Sequence, residues 1–194
     1  EKQKLIKEGK IKKEKPLPPI AEDEIPFEIP EGWRWCRLGE ICKSITDGDH
    51  QPPPQTSEGI PFLVISNVSN GQLDFTNTRF VSKEYFNSLS NDRIAESGDI
   101  LFTVTGSYGI PIVVNTNRIF CFQRHISLLK IIGNLDYIYI TLLSPIIKEQ
   151  CDKVAEARKQ SSKDYYLMLG SAINPPTRIG MEEVLNTWDH SVPL

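Results

Sequence analysis

The chain has 194 residues, of which 39% are hydrophobic and 24% charged, and a formal net charge of −3. That length accommodates one core-burying domain with an appendage, and the composition is that of an ordinary globular protein. The longest apolar runs, Ile110–Val114 and Ile126–Leu129, are too short to span a bilayer, and the acidic balance supplies no general affinity for nucleic acid.

Residues 1–15 carry seven Lys against three Glu, with Leu5 and Ile6 apolar, so 1–13 reads as the last turns of a helix. Residues 14–31 hold five prolines and a run of acids, the composition of a linker or of an extended strap over the surface. The charged start contains no apolar segment of the signal-peptide kind, so a cytoplasmic chain is expected. With no initiator Met and a last segment, Ser191–Leu194, resembling an interrupted strand, it reads as a piece of a longer protein.

The globular body begins at Gly32, where Trp33, Trp35 and Leu38 supply anchoring bulk and Leu38–Cys42 suits a short helical turn. Three consecutive prolines within 46–59 predict a long exposed loop. Strands are expected at Pro61–Val68 and Gly71–Val81, then a Ser82-capped helix over 82–90. Ile100–Thr105 is a further strand running into Gly106-Ser107-Tyr108-Gly109, and Ile119–Ile132 supplies one long strand or two short ones. From Leu135 the apolar positions Leu143, Ile146, Ile147, Cys151, Val154 and Ala157 recur at three- and four-residue steps, an amphipathic helix that Pro145 kinks or restarts. Gly180–Asn186 is a last short helix before a terminal strand. The expected fold class is α+β: one β-rich globular domain over 32–194 with flanking helices, preceded by the end of a helix.

The usual reacting groups are missing. No dinucleotide fingerprint, phosphate-binding loop or nucleophile elbow occurs. Cys36, Cys42, Cys121 and Cys151 read as free thiols, and His50, His125 and His190 have no ligand spacing, so neither metal nor cofactor is expected. Asp47, Asp49 and His50 stand in a proline-rich loop, where turn formation or contact with a ligand suits them better than catalysis. Asn174-Pro175-Pro176-Thr177 is similar to the loop that holds a flipped base in amino-methyltransferases, but Thr replaces the stacking ring and no S-adenosylmethionine loop precedes it. It reads as a rigid connector.

Several segments taken in order resemble the target-recognition domain of type I restriction–modification specificity subunits. They are EKQKLIKEGKIKKEKPLP, EIPFEIPEGWRWCRLGEI, GIPFLVISNVSNGQLD, RIAESGDILFTVTGSYG, Gln123-Arg124-His125, YITLLSPIIKEQ and Val192-Pro193-Leu194. The chain departs from the family at Val104, where an Arg is common, and in the longer INPPTRIGMEEVLN segment. The resemblance implies a non-catalytic reader of one half of a split duplex DNA target, acting in the major groove. Its implied partners are modification and restriction subunits and a second recognition domain of the same subunit. Donors and acceptors on loops suit base-edge reading, with Lys and Arg positioning phosphates. The candidate contacts are Thr46, Asp49, His50, Gln51 and Gln55 in the first loop, Thr103, Thr105, Ser107 and Tyr108 in the second, and Arg118, Gln123, Arg124 and His125. The alternative is a protein–protein scaffold module, which fits the acidic charge.

Overall fold

The computed structural model describes residues 2–13, 15–48, 52–157 and 166–170. In chain order the elements are α1 (Lys2–Lys7), β1 (Trp33–Arg37), β2 (Cys42–Asp47), β3 (Gln55–Thr56), β4 (Ile60–Leu63), β5 (Arg79–Val81) and α2 (Lys83–Ser88). They continue with β6 (Ile100–Thr103), β7 (Pro111–Val113), β8 (Cys121–Phe122), β9 (Ile126–Ile131), α3 (Leu135–Leu142), α4 (Pro145–Ala157) and β10 (Tyr166–Gly170). A central sheet has the order β2-β9-β6-β7, antiparallel throughout, and a second sheet the order β3-β5-β4-β8, in which β4 and β8 run parallel. β1 and β10 form a separate antiparallel ribbon. Among the described residues, helices and strands combine as the expected α+β domain.

Side-chain alternation on the strands divides the interior into three packed layers. β6 is buried along its whole length. Its Ile100 and Phe102 join Cys42, Ile45 and Leu129 against Ile138, Leu142 and Ile147 of the helices. Leu101, between them in sequence, joins Leu63, Ile112, Phe122 and Leu128 on the other face. Ile60, Phe62, Val81 and Cys121 then close the far side of the second sheet beneath Phe86 of α2. The order is therefore helices α3 and α4, central sheet, second sheet, helix α2. Each fully buried Leu, Ile or Phe here contributes about 1.5–3 kcal/mol relative to exposure.

Local chemistry sets several boundaries. Ser82 caps α2 by accepting from the Tyr85 N–H at 3.1 Å, and Asn134 caps α3 by accepting from the Tyr137 N–H at 2.7 Å. Pro145 starts α4 rather than kinking a longer helix; it lacks the N–H that a first-turn residue would leave unpaired. The helix expected over 1–13 stops at Lys7, and Gly9 takes a left-handed φ of 69° behind it. The strand expected over Pro61–Val68 ends at Leu63. Buried Asn67 accepts from the Val64 N–H at 3.0 Å and donates to the Thr76 carbonyl at 3.3 Å, which turns the chain instead. Ile119–Ile132 resolves into β8 and β9, and β6 stops at Thr103 rather than Thr105. Residues 174–177, 180–186 and 192–194 lie outside the described residues.

The proline-rich segment is tied down. Arg37, 4% exposed, donates to both Glu24 carboxylate oxygens at 2.8 and 2.7 Å and to the carbonyls of Pro18 and Pro19 at 3.1 and 2.9 Å. Hydrogen bonding from Arg37 holds the Glu24 carboxyl below the ordinary range, although burial opposes it. Lys2 reaches the same region, its Nζ donating to the Gly39 carbonyl at 2.6 Å. The strap thus runs from α1 over β1.

Candidate nucleic-acid interface

Strand register brings the loops together. Asp47 of β2 and Phe102 of β6 both stand opposite Ser127 near the start of β9, and Thr103 stands opposite Ile126. Leu63, the last residue of β4, is level with Phe122, the last of β8. The ends of β2, β4, β6 and β8 therefore meet the start of β9 at one end of the two sheets. The turn 123–125 joins the two sheets there.

Backbone bonds fix that turn. The Gln123 N–H donates to the Leu63 carbonyl at 3.1 Å, the Ile126 N–H to the Gln123 carbonyl at 3.1 Å, and the Val104 N–H to the His125 carbonyl at 2.9 Å. Gly48 fits against it so closely that a Cβ there would lie 2.2 Å from the Phe122 carbonyl oxygen. Only glycine allows that approach. Because the main chain does the holding, Arg124 is exposed and Gln123 and His125 are half-buried. The Arg124 Nε donates to His125 Nε2 at 3.3 Å, while its two terminal amino groups make no bond to any described residue.

The 104–109 loop is held differently. Thr103 is fully buried, and its Oγ1 accepts from the Ile110 N–H at 2.9 Å while its carbonyl accepts from the Gly109 N–H at 2.8 Å. Gly106 and Gly109 take φ of 78° and 81°, which lets the chain double back. Thr105 and Ser107 are exposed at the tip. The Tyr108 hydroxyl turns away and donates to Asp152 of α4 at 2.9 Å, with the Lys148 ammonium 4.8 Å from the ring centroid. The hydrogen bond to Asp152 raises the Tyr108 pKa, and those from Lys148 and Tyr108 lower that of Asp152. Among the described residues no cluster of three His, Cys, Asp or Glu could hold a metal, and no helix is long and apolar enough to cross a membrane.

The cluster therefore contains Thr105, Ser107, Gln123, Arg124 and His125 of the expected contacts. Thr103 is a correction: with no exposed surface and a satisfied hydroxyl, it braces its loop and offers nothing to a ligand. The Tyr108 hydroxyl gives its proton to Asp152, so towards a ligand it can act only as an acceptor. Thr46 lies in β2 rather than in a loop, and its hydroxyl donates to the Asp92 carbonyl at 2.8 Å. Gln55 is level with Val81 and through it with Ile60, the opposite end of β4 from the cluster. Arg118 stands before β8, its guanidinium 4.5 Å from the Phe75 ring centroid. Asp49, His50 and Gln51 lie outside the described residues. One contributor to this end was not expected from sequence, the turn at Ile65 and Ser66, with Ile65 beside Gly106; Asp47, read from sequence as part of the proline-rich loop, instead ends β2, and its carboxylate accepts from the buried Ser127 hydroxyl at 2.5 Å.

No protein-family model matches the chain. It is 54% identical over 130 residues to the EcoEI type I restriction enzyme specificity subunit of Escherichia coli, covering 61% of this chain and 21% of that protein. The EcoAI specificity subunit of the same organism is 38% identical over 101 residues, 52% of this chain and 17% of the relative. Over the matched segments the chain is similar to part of the type I restriction enzyme specificity subunits. It spans about a fifth of the length of these curated relatives. The fold is also that of the HsdS subunit from Thermoanaerobacter tengcongensis, with a TM-score of 0.54 and 23% identity over 75% of this chain and 35% of that one. A second solved structure, from work on complex assembly and conformational transition of the type I R-M system, matches with a TM-score of 0.52 and 24% identity, covering 83% of this chain and 38% of that one. Both solved structures share the overall fold of this chain.

Proposed function

We propose that this domain reads one half of a split duplex DNA target for a type I restriction–modification complex and turns over no substrate itself. Methylation and cleavage then belong to separate modification and restriction subunits, a second recognition domain reads the other half-site, and the complex works in the cytoplasm. The observation that carries this reading is the convergence of the 104–109 loop and the 123–125 turn at one end of two sheets. That end displays Thr105, Ser107, Gln123, Arg124 and His125 on a backbone-braced support. Gln can pair bidentately with adenine, Arg with guanine O6 and N7 or with phosphate, and hydroxyls with either kind of edge. A net charge of −3 limits non-specific attraction, so the domain depends on the assembled complex for affinity and contributes discrimination.

The test transplants residues 16–194 into the EcoBI specificity subunit, which is 28% identical over 136 residues, covering 66% of this chain and 28% of that subunit. Adenine methylation by the assembled complex is then mapped across a genome. One half of the recognised sequence should change and the other should stay. An unchanged methylation pattern would instead make the domain a scaffold without DNA contact.

A further inference from the structure

Three residues at the edge of the reading surface have partners that a contact role does not explain. Tyr108 donates to Asp152, Lys148 lies over the Tyr108 ring, and Lys148 pairs with Asp152 one helical turn away on α4. The neighbouring Gly109 rests on the same helix, where a Cβ would lie 3.5 Å from Cys151 Sγ and 3.8 Å from Lys148 Cδ. Two consecutive residues of the loop's return limb therefore touch α4, while Val104 at its outgoing limb is bonded to the 123–125 turn. The exposed tip, Thr105 to Ser107, is strung between these attachments.

We propose that Tyr108 is a positioning residue of the reading surface: fastened to Asp152 and Lys148, it lets helix α4 set where Thr105 and Ser107 meet the base edges. The inference rests on the DNA-reading function proposed above. Side chains of Lys148 and Asp152 are 56% and 45% exposed, and pairs in that setting add little to stability. What the contact supplies is geometry. Gly106 at the tip has a wide conformational range, so an unfastened return limb leaves the tip free to sample several placements. A base contact depends on placement within a few tenths of an ångström, whereas attraction to phosphates does not.

The experiment uses the chimeric specificity subunit in its assembled complex, with its methylation-defined target duplex and a duplex scrambled in the one half-site. Tyr108→Phe and Asp152→Ala should lower the ratio of the two affinities about 5- to 20-fold, with little change in salt dependence or melting temperature. Asp152→Asn, which still accepts a hydrogen bond, should restore most of the ratio. An unchanged ratio in the first two variants overturns the proposal. So does equal weakening on both duplexes with a reduced salt slope, which marks a phosphate contact, and so does a loss that tracks a fall in melting temperature. A chimera whose methylation target never changed would instead remove the reading on which this rests, so the two failures are distinguishable.

Discussion

Arg37 and Arg124 carry the same side chain to opposite uses. Arg37 is buried and donates to a carboxylate and two carbonyls of its own chain. Arg124 is exposed on a turn whose main chain is already satisfied, and only its Nε has a partner among the described residues. A guanidinium with its donors satisfied inside the protein holds structure together, while one with donors left over can hold something else. The difference lies in what surrounds each arginine, not in residue type.

The supporting backbone is where this contrast breaks most severely. Gly48→Ala should destabilise the domain by about 3 kcal/mol or more in urea unfolding, because its Cβ would overlap the 122–123 backbone, which cannot move without the turn. Arg37→Ala should cost about 2–3 kcal/mol by the same measurement, leaving Glu24 and two carbonyls without their donor. Arg124→Ala should leave stability within about 0.5 kcal/mol yet weaken target binding in the complex roughly tenfold; equal stability and equal binding would erase the distinction drawn between the two arginines.

The smallest effect is on pH dependence. Arg37 depresses the folded pKa of Glu24 below its usual 4.5, so the pair's contribution is present in full above about pH 4.5 and fades as pH falls through the lowered folded value. Arg37→Met should flatten that part of the acid-unfolding curve, measured by circular dichroism against the parent chain.

Much of the scaffold was legible because local rules and tertiary packing agree there. Ile100–Thr103, the Ser82 cap and the Pro145 helix start all follow from patterns that neighbours reinforce. The strand expected over Gly71–Val81 shrank to Arg79–Val81 because Asn67, Asn70 and Asp74 bond nearby backbone groups and compete with a ladder. β10 was not foreseen, and its pairing with β1 joins residues more than a hundred positions apart. For the candidate site, the sequence singled out loops but not which of their polar side chains are exposed. Thr103 and Thr105 are the same residue type two positions apart, one sealed in the core and one in solvent. Nor could the sequence show that the Tyr108 hydroxyl donates to Asp152, 44 positions away.

The β1–β10 ribbon has a consequence of another kind. Trp33, where β1 begins, stands opposite Gly170, where β10 ends, so the backbone enters and leaves this ribbon roughly 5 Å apart. The two ends of the intervening segment are thereby held side by side by strand pairing. A substitution that breaks the ribbon therefore releases both ends of the intervening segment at once.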